Sequence, residues 1–204
     1  MVRAAALVTG DGAKLQAILD SMYFKEIPDF ELIAVISSQR EAYAMKRALN
    51  AGIPAYVVDP ELFPNSTSHS MAVANKLKDM DIDLVILAGY EQPLGVIPYQ
   101  FKNRIIGTYP ALCPAFEEAE GDIQSAVLER GVKVTGATSY FADGDGRVGS
   151  IIAQRAVEVK PDDTPETLSR RILEEAEWKL LSQAVSLYCG NKLKIHGNRV
   201  IIEK

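Results

Sequence analysis

Hydrophobic positions in the first ninety residues come in short apolar runs separated by amphipathic stretches. "RAAALVT" (3–9), "ELIAVISS" (31–38), "PAYVVD" (54–59) and "IDLVILAGY" (82–90) are expected as strands. The last is apolar throughout, as a central parallel strand covered on both faces requires. Between the runs the period changes to that of a helix. Leu15, Ile18, Leu19 and Met22 share one face, "REAYAMKRALNAG" (40–52) stops at a C-capping Gly52, and Ser66 to Met80 forms a polar-faced helix. Strands alternating with helices at this spacing predict an α/β fold with a Rossmann-like, doubly wound parallel sheet.

The second half changes character. "IIGTYPALCP" (105–114), closed by two prolines, is expected as a ligand-bearing loop, followed by a helix around 121–131. "KVTGATSYFA" (133–142) and "GSIIAQRAVEV" (149–159) flank a Gly144-Asp145-Gly146 turn, which predicts an antiparallel pair. Thr164 caps a long helix, with Pro165 and Glu166 in its first turn, that runs towards Leu187 and ends at Gly190; a small hairpin closes the chain. Without repeats or linkers, residues 1–204 read as one domain: a phosphate-binding half over 1–106 and a C-terminal half, with its antiparallel extension, over 107–204.

Composition narrows the function. At 204 residues, nearly half hydrophobic, the chain can bury a core without disulfides or metals. A net charge of −5 and the lack of a basic stripe argue against nucleic acid. "MVRAAALVTG" is too short for a signal sequence, no apolar run suggests a membrane span, and two distant cysteines, Cys113 and Cys189, suit a reducing cytoplasm and form no metal-ligand spacing. His69 on the polar helix and His196 in the tail are expected at the surface.

The turn "TGDGAKL" (9–15) offers glycines and free amides at a helix start, where an anion is favoured. It lacks a third glycine for a dinucleotide and the ending of a P-loop. Asp11 repels an anion and Lys14 offsets it, so phosphate binding and a purely conformational turn both stay open.

"ALVTGDGAKLQAILD", "AVISSQREAYAMKRALNAGI", "DLVILAGY" and "KLKIH" together resemble, in order and spacing, the glycinamide ribonucleotide formyltransferases. The resemblance spans about Ala5 to His196. It implies transfer of a formyl group from formyl-tetrahydrofolate, the co-substrate, to the amine of a phosphoribosyl glycinamide in purine synthesis, without a metal, by a cytoplasmic monomer or homodimer. It also implies substrate contacts from Gly10, Asp11, Gly12, Ala13 and Lys14, with Glu177 at a ribose-hydroxyl position; an ordinary surface glutamate is the competing reading of Glu177.

The family's catalytic segment is typically Asn-x-His-Pro-Ser-Leu-Leu-Pro. Here Gly107 stands at the Asn position and Tyr109 at the His position, while the prolines and Leu112 persist. Ungapped, Arg147 falls on the third family catalyst, an Asp, and Tyr140 on a nearby His; a two-residue slip brings in Asp145 instead. Formyl transfer passes through a tetrahedral oxyanion that needs donors and a proton acceptor. Glycine has no side-chain donor, and tyrosine, with a pKa of about 10, is a poor base.

The formyl-donor loop reads Tyr90-Glu91-Gln92-Pro93-Leu94, where the family has Met-Arg and two apolar residues after its aromatic position. Loss of the cation disfavours an acidic donor; a reshaped solvent loop is the bland alternative. The expectation is therefore a divergent member with weak or absent standard activity. Tyr109, Thr108 and Asp145 are the candidates for residual catalysis. The alternatives are a silent paralogue that binds a phosphorylated small molecule or a protein, or another one-carbon or acyl transferase, with Cys113 a remote nucleophile candidate.

Overall fold

In a computed structural model that describes residues 1–119, 121–144 and 146–203, the described strands form one nine-stranded sheet. Its parallel part comprises β1 (Val2–Val8), β2 (Phe30–Ser37), β3 (Ala55–Val57), β4 (Leu84–Leu87) and β5 (Ile105–Tyr109), in the order β3-β2-β1-β4-β5. β6 (Val134–Ala142) runs antiparallel to β5, and β7 (Val148–Glu158) antiparallel to β6. The terminal hairpin of β8 (Leu193–His196) and β9 (Arg199–Ile202) extends this edge, β9 lying beside β7.

Period-two alternation places the two faces. Ala4, Ala6 and Val8 of β1 join Leu84, Ile86 and Ile106 in one core, covered by α1 (Ala13–Tyr23), α2 (Tyr43–Asn50) and α7 (Trp178–Cys189). Ala5 and Leu7 join Val85 and Ile105 in the other, covered by α3 (Ser66–Asp79) and α4 (Ile97–Gln100). A third core lies between β6, β7, α5 (Ile123–Arg130) and α6 (Pro165–Ile172).

Several elements differ from the sequence reading. The segment expected as a loop from residue 105 is strand as far as Tyr109, because Val85 and Ile86 pair with Ile105 and Ile106 and β6 seals the other side. The third strand is trimmed to three residues: Asp59 accepts from the Glu61 amide and turns the chain into a 3₁₀ turn at Pro60–Leu62. The long late helix is not uniform. A π-helical turn at Leu173–Glu177 separates α6 from α7 and buries both Ala176 and Glu177.

His69 is a correction. It is 1% exposed on α3, and its Nε2 lies 2.9 Å from the Val58 carbonyl. With one ring nitrogen satisfied, the imidazole is affordable inside a helix whose inner stripe is Val73, Ala74 and Leu77. His196 is exposed, as expected.

Candidate active site

The C-terminal ends of β1, β4 and β5 open on the same side of the sheet, where ligands of open α/β sheets bind. After β1, Gly12 takes a left-handed conformation at φ +77°, and a Cβ there would meet the Ala44 Cβ at 2.7 Å. Only glycine allows α2 to seat against this turn. The turn, with Ala88, Gly89, Glu91 and Leu173, lines a cavity of about 230 Å³. Two larger hollows of about 690 Å³ each lie away from the glycine turn, one beside Pro114–Ala119 and one between α4 and the β6–β7 hairpin.

The turn's charges are arranged asymmetrically. Asp11 Oδ1 accepts the Ala13 amide at 3.0 Å, so the chain's own carboxylate already takes one of the helix-start donors. Arg47 Nε holds the Asp11 carbonyl at 2.8 Å. Lys14 reaches across the cavity to Glu177, Nζ to Oε1 2.5 Å, and Thr108 Oγ1 donates to that same Oε1 at 2.8 Å. Glu177 is 4% exposed, so the surface-glutamate reading is corrected: the π turn aims the residue inward, onto the site. Lys14, one-fifth exposed, neutralises it.

Thr9, 1% exposed, was invisible as a positioning residue in the sequence. Its amide donates to the Gly89 carbonyl and its hydroxyl accepts the Glu91 amide, each at 2.9 Å, which ties the donor loop to β1. Glu91 itself is exposed, Gln92 half-buried, and Leu94 buried against Gly146. Tyr90 turns into the core, where burial raises its pKa and its hydroxyl finds no partner. These four residues therefore split between solvent and core rather than lining one surface.

Two of the three catalytic candidates, Thr108 and Tyr109, do not come together. Thr108 faces Glu177 on the α7 side, whereas Tyr109 lies on the opposite face and donates to the Phe116 carbonyl at 2.8 Å. Burial, then Cys113 and Glu117 beside it, raises the Tyr109 pKa, so it is protonated at neutral pH. Asp145 lies outside the described residues. Arg147, the other register for that position, is exposed, and its amide donates to Asp143 Oδ1 at 2.9 Å.

By contrast, the loop after β5 is firmly held. Gln124 Nε2 donates to the Pro110 carbonyl, Thr138 Oγ1 donates to that of Ala111, and Gln154 Nε2 donates to that of Cys113. Burial, with Glu117 adding to it, pushes the Cys113 thiol up to about 11, which leaves it a poor nucleophile.

The most informative geometry is at Gly107. It pairs directly with Tyr140 of β6, and a Cβ at 107 would lie 3.1 Å from the Tyr140 hydroxyl and 3.2 Å from Leu87 Cδ1. The phenol thus fills the space beside a glycine that stands where the resemblance places asparagine. Tyr140 is 8% exposed; burial, then the acidic neighbours Cys113, Glu177, Tyr109 and Asp143, push its pKa up to about 12.

Fold and site together define an α/β domain with a small-molecule site across the ends of β1, β4 and β5. The chain belongs to the formyl transferase family, whose model matches residues 2–185. The trifunctional purine biosynthetic protein adenosine-3 of Gallus gallus is 34% identical over 196 residues, covering 95% of this chain and 19% of that protein. The chain thus spans about a fifth of the length of such relatives. Phosphoribosylglycinamide formyltransferase of Haemophilus influenzae is 28% identical, covering 100% of this chain and 94% of its own. The structure of glycinamide ribonucleotide transformylase 1 from Symbiobacterium toebii superposes with a TM-score of 0.94 at 40% identity, covering 100% of this chain and 95% of that one. Among the described residues no group of His, Cys, Asp or Glu is arranged to hold a metal, and no helix is long and apolar enough to cross a membrane.

Proposed function

We propose that this protein is a phosphoribosylglycinamide formyltransferase-like member of its family that still takes a phosphoribosyl ligand at the glycine turn, and whose formyl transfer from formyl-tetrahydrofolate is much weakened. Its similarity over nearly its whole length to bacterial phosphoribosylglycinamide formyltransferases supports the substrate class. The observation that carries the weakening is the Gly107–Tyr140 contact, together with a Tyr109 hydroxyl committed to Phe116. Loss of one oxyanion donor costs roughly a hundred- to a thousandfold in rate.

In this reading the amides of Gly12 and Lys14 face the phosphate, and Glu177 faces the ribose once Lys14 turns to the phosphate. Asp11 works against tight binding, and Lys14 and Arg47 compensate. Gln92 and Glu91 supply no cation for the acidic tail of a folate. The protein acts as a monomer or homodimer in the cytoplasm, independent of nucleic acid.

Turnover of phosphoribosyl glycinamide with 10-formyl-tetrahydrofolate, measured beside the Haemophilus influenzae relative, tests the reading. A kcat/KM at least a hundredfold lower is expected; a value within a hundredfold of the relative's overturns it.

A further inference from the structure

Thr108, Tyr109, Tyr90 and Tyr140 are four of the hydroxyls near the end of β5, and three are out of use. Thr108 donates to Glu177, Tyr109 donates to the Phe116 carbonyl, and the Tyr90 hydroxyl is sealed from solvent without a partner. The fourth belongs to Tyr140. No hydrogen bond joins it to another described residue, and its hydroxyl oxygen lies 3.1 Å from where a Cβ of Gly107 would stand, near Leu87 at the end of β4. It shares a face with Tyr109 and Leu94 and lies within electrostatic reach of Glu177 and Cys113. Unlike the Tyr90 hydroxyl, that of Tyr140 is not sealed from solvent, so a ligand can reach it.

We propose that Tyr140 supplies from β6 the hydrogen-bond donor that Gly107 cannot, its hydroxyl binding the carbonyl oxygen of a formyl-bearing ligand. The inference rests on the formyl-ligand reading of the site above. As the substrate amine bonds to the formyl carbon, the carbonyl π pair moves to oxygen, and Tyr140 donates to that oxyanion while keeping its own proton. The pair returns as the bond to the folate nitrogen breaks, and the proton shed by the amine ends on that nitrogen. The donor function of one strand is thus taken over by its neighbour, across a directly opposed residue pair. Any residual transfer depends on Tyr140 rather than on Tyr109.

Binding separates this role from a packing role. A hydrolysis-stable 10-formyl folate analogue and its unformylated parent are titrated into wild type, Tyr140→Phe and Tyr109→Phe, with melting temperatures recorded for each. Wild type is expected to bind the formyl compound about tenfold more tightly than the parent. Tyr140→Phe abolishes that preference at an equal or higher melting temperature, and Tyr109→Phe keeps it. A preference that survives Tyr140→Phe, no preference in wild type, or no binding of either folate overturns the inference. Phosphoribosyl glycinamide is titrated in parallel. If it binds while the folate preference is absent, this inference alone fails. If the folate preference is intact but the phosphoribosyl compound does not bind, only the proposed substrate reading fails.

Discussion

The glycine turn and the end of β5 face one another across the site, and they are built in opposite ways. Around the turn, charged groups meet: Asp11 caps Ala13, and Lys14 and Glu177 form a charge pair that Thr108 extends. At the end of β5 the contacts are those of packing and a committed phenol: Gly107 is bare, Tyr140 covers it, and Tyr109 is tied to Phe116. Charges at a cavity rim stay adaptable, because a lysine can exchange its partner for a ligand. A strand pair whose two residues fill one another's space admits no such exchange without repacking. The same fold can therefore keep one half of a binding site responsive while fixing the other.

The largest expected effect breaks the charged side. Lys14→Met leaves the Glu177 carboxylate, 5% exposed, with only Thr108 as donor, and should cost about 3 kcal/mol, the low end for a broken buried pair because Lys14 is partly exposed. Adding Glu177→Gln should recover most of the loss. Urea unfolding of the two variants measures both, and additive losses would show that the residues do not act as a pair.

The packed side should respond to size instead of charge. Gly107→Asn drives a Cβ to 3.1 Å from the Tyr140 hydroxyl and should cost about 2 kcal/mol by overpacking. Coupled with Tyr140→Ala, the asparagine gains room, so a double-mutant cycle should show a favourable interaction of about 1 kcal/mol. Simple additivity would mean that the two positions do not share space.

A smaller effect concerns the scaffold under the β5 half. Asp122 caps α5, accepting the Ser125 amide at 2.7 Å, and α5 carries the Gln124 that holds Pro110. Asp122→Ala should cost about 1 kcal/mol at neutral pH. Hydrogen bonds from the Ser125 hydroxyl and amide hold the Asp122 pKa below its ordinary 3.8. The cap therefore stabilises above that value, and its contribution is lost as pH falls through the lower folded pKa. The stability difference between wild type and Asp122→Ala should shrink only in acid, and a difference that is flat with pH would rule out the carboxylate as the cap.

Much of the fold was legible in the sequence because alternation in β1 and β4 and the caps at Thr164 and Gly52 are local signals. The glycine turn was legible for the same reason. The missed features are tertiary. "LEEAEWK" reads as a solvated helix, and only the π turn, which inserts a residue into the helical period, brings Glu177 inward. "STSHS" reads as polar, yet His69 is buried because Val58 satisfies it. Tyr140 faces Gly107 through antiparallel register between segments over thirty residues apart, which nothing local specifies.

The central proposal is that the phosphoribosyl half of the site still binds its ligand while formyl transfer is much weakened. Thermal and chemical stability measured with saturating phosphoribosyl glycinamide, in the sample used for turnover, tests both parts at once. At a hundred times the dissociation constant the ligand should add about 2.7 kcal/mol, while transfer stays at least a hundredfold below that of the bacterial relative. Stability unchanged by the ligand, or transfer at the relative's rate, would contradict it.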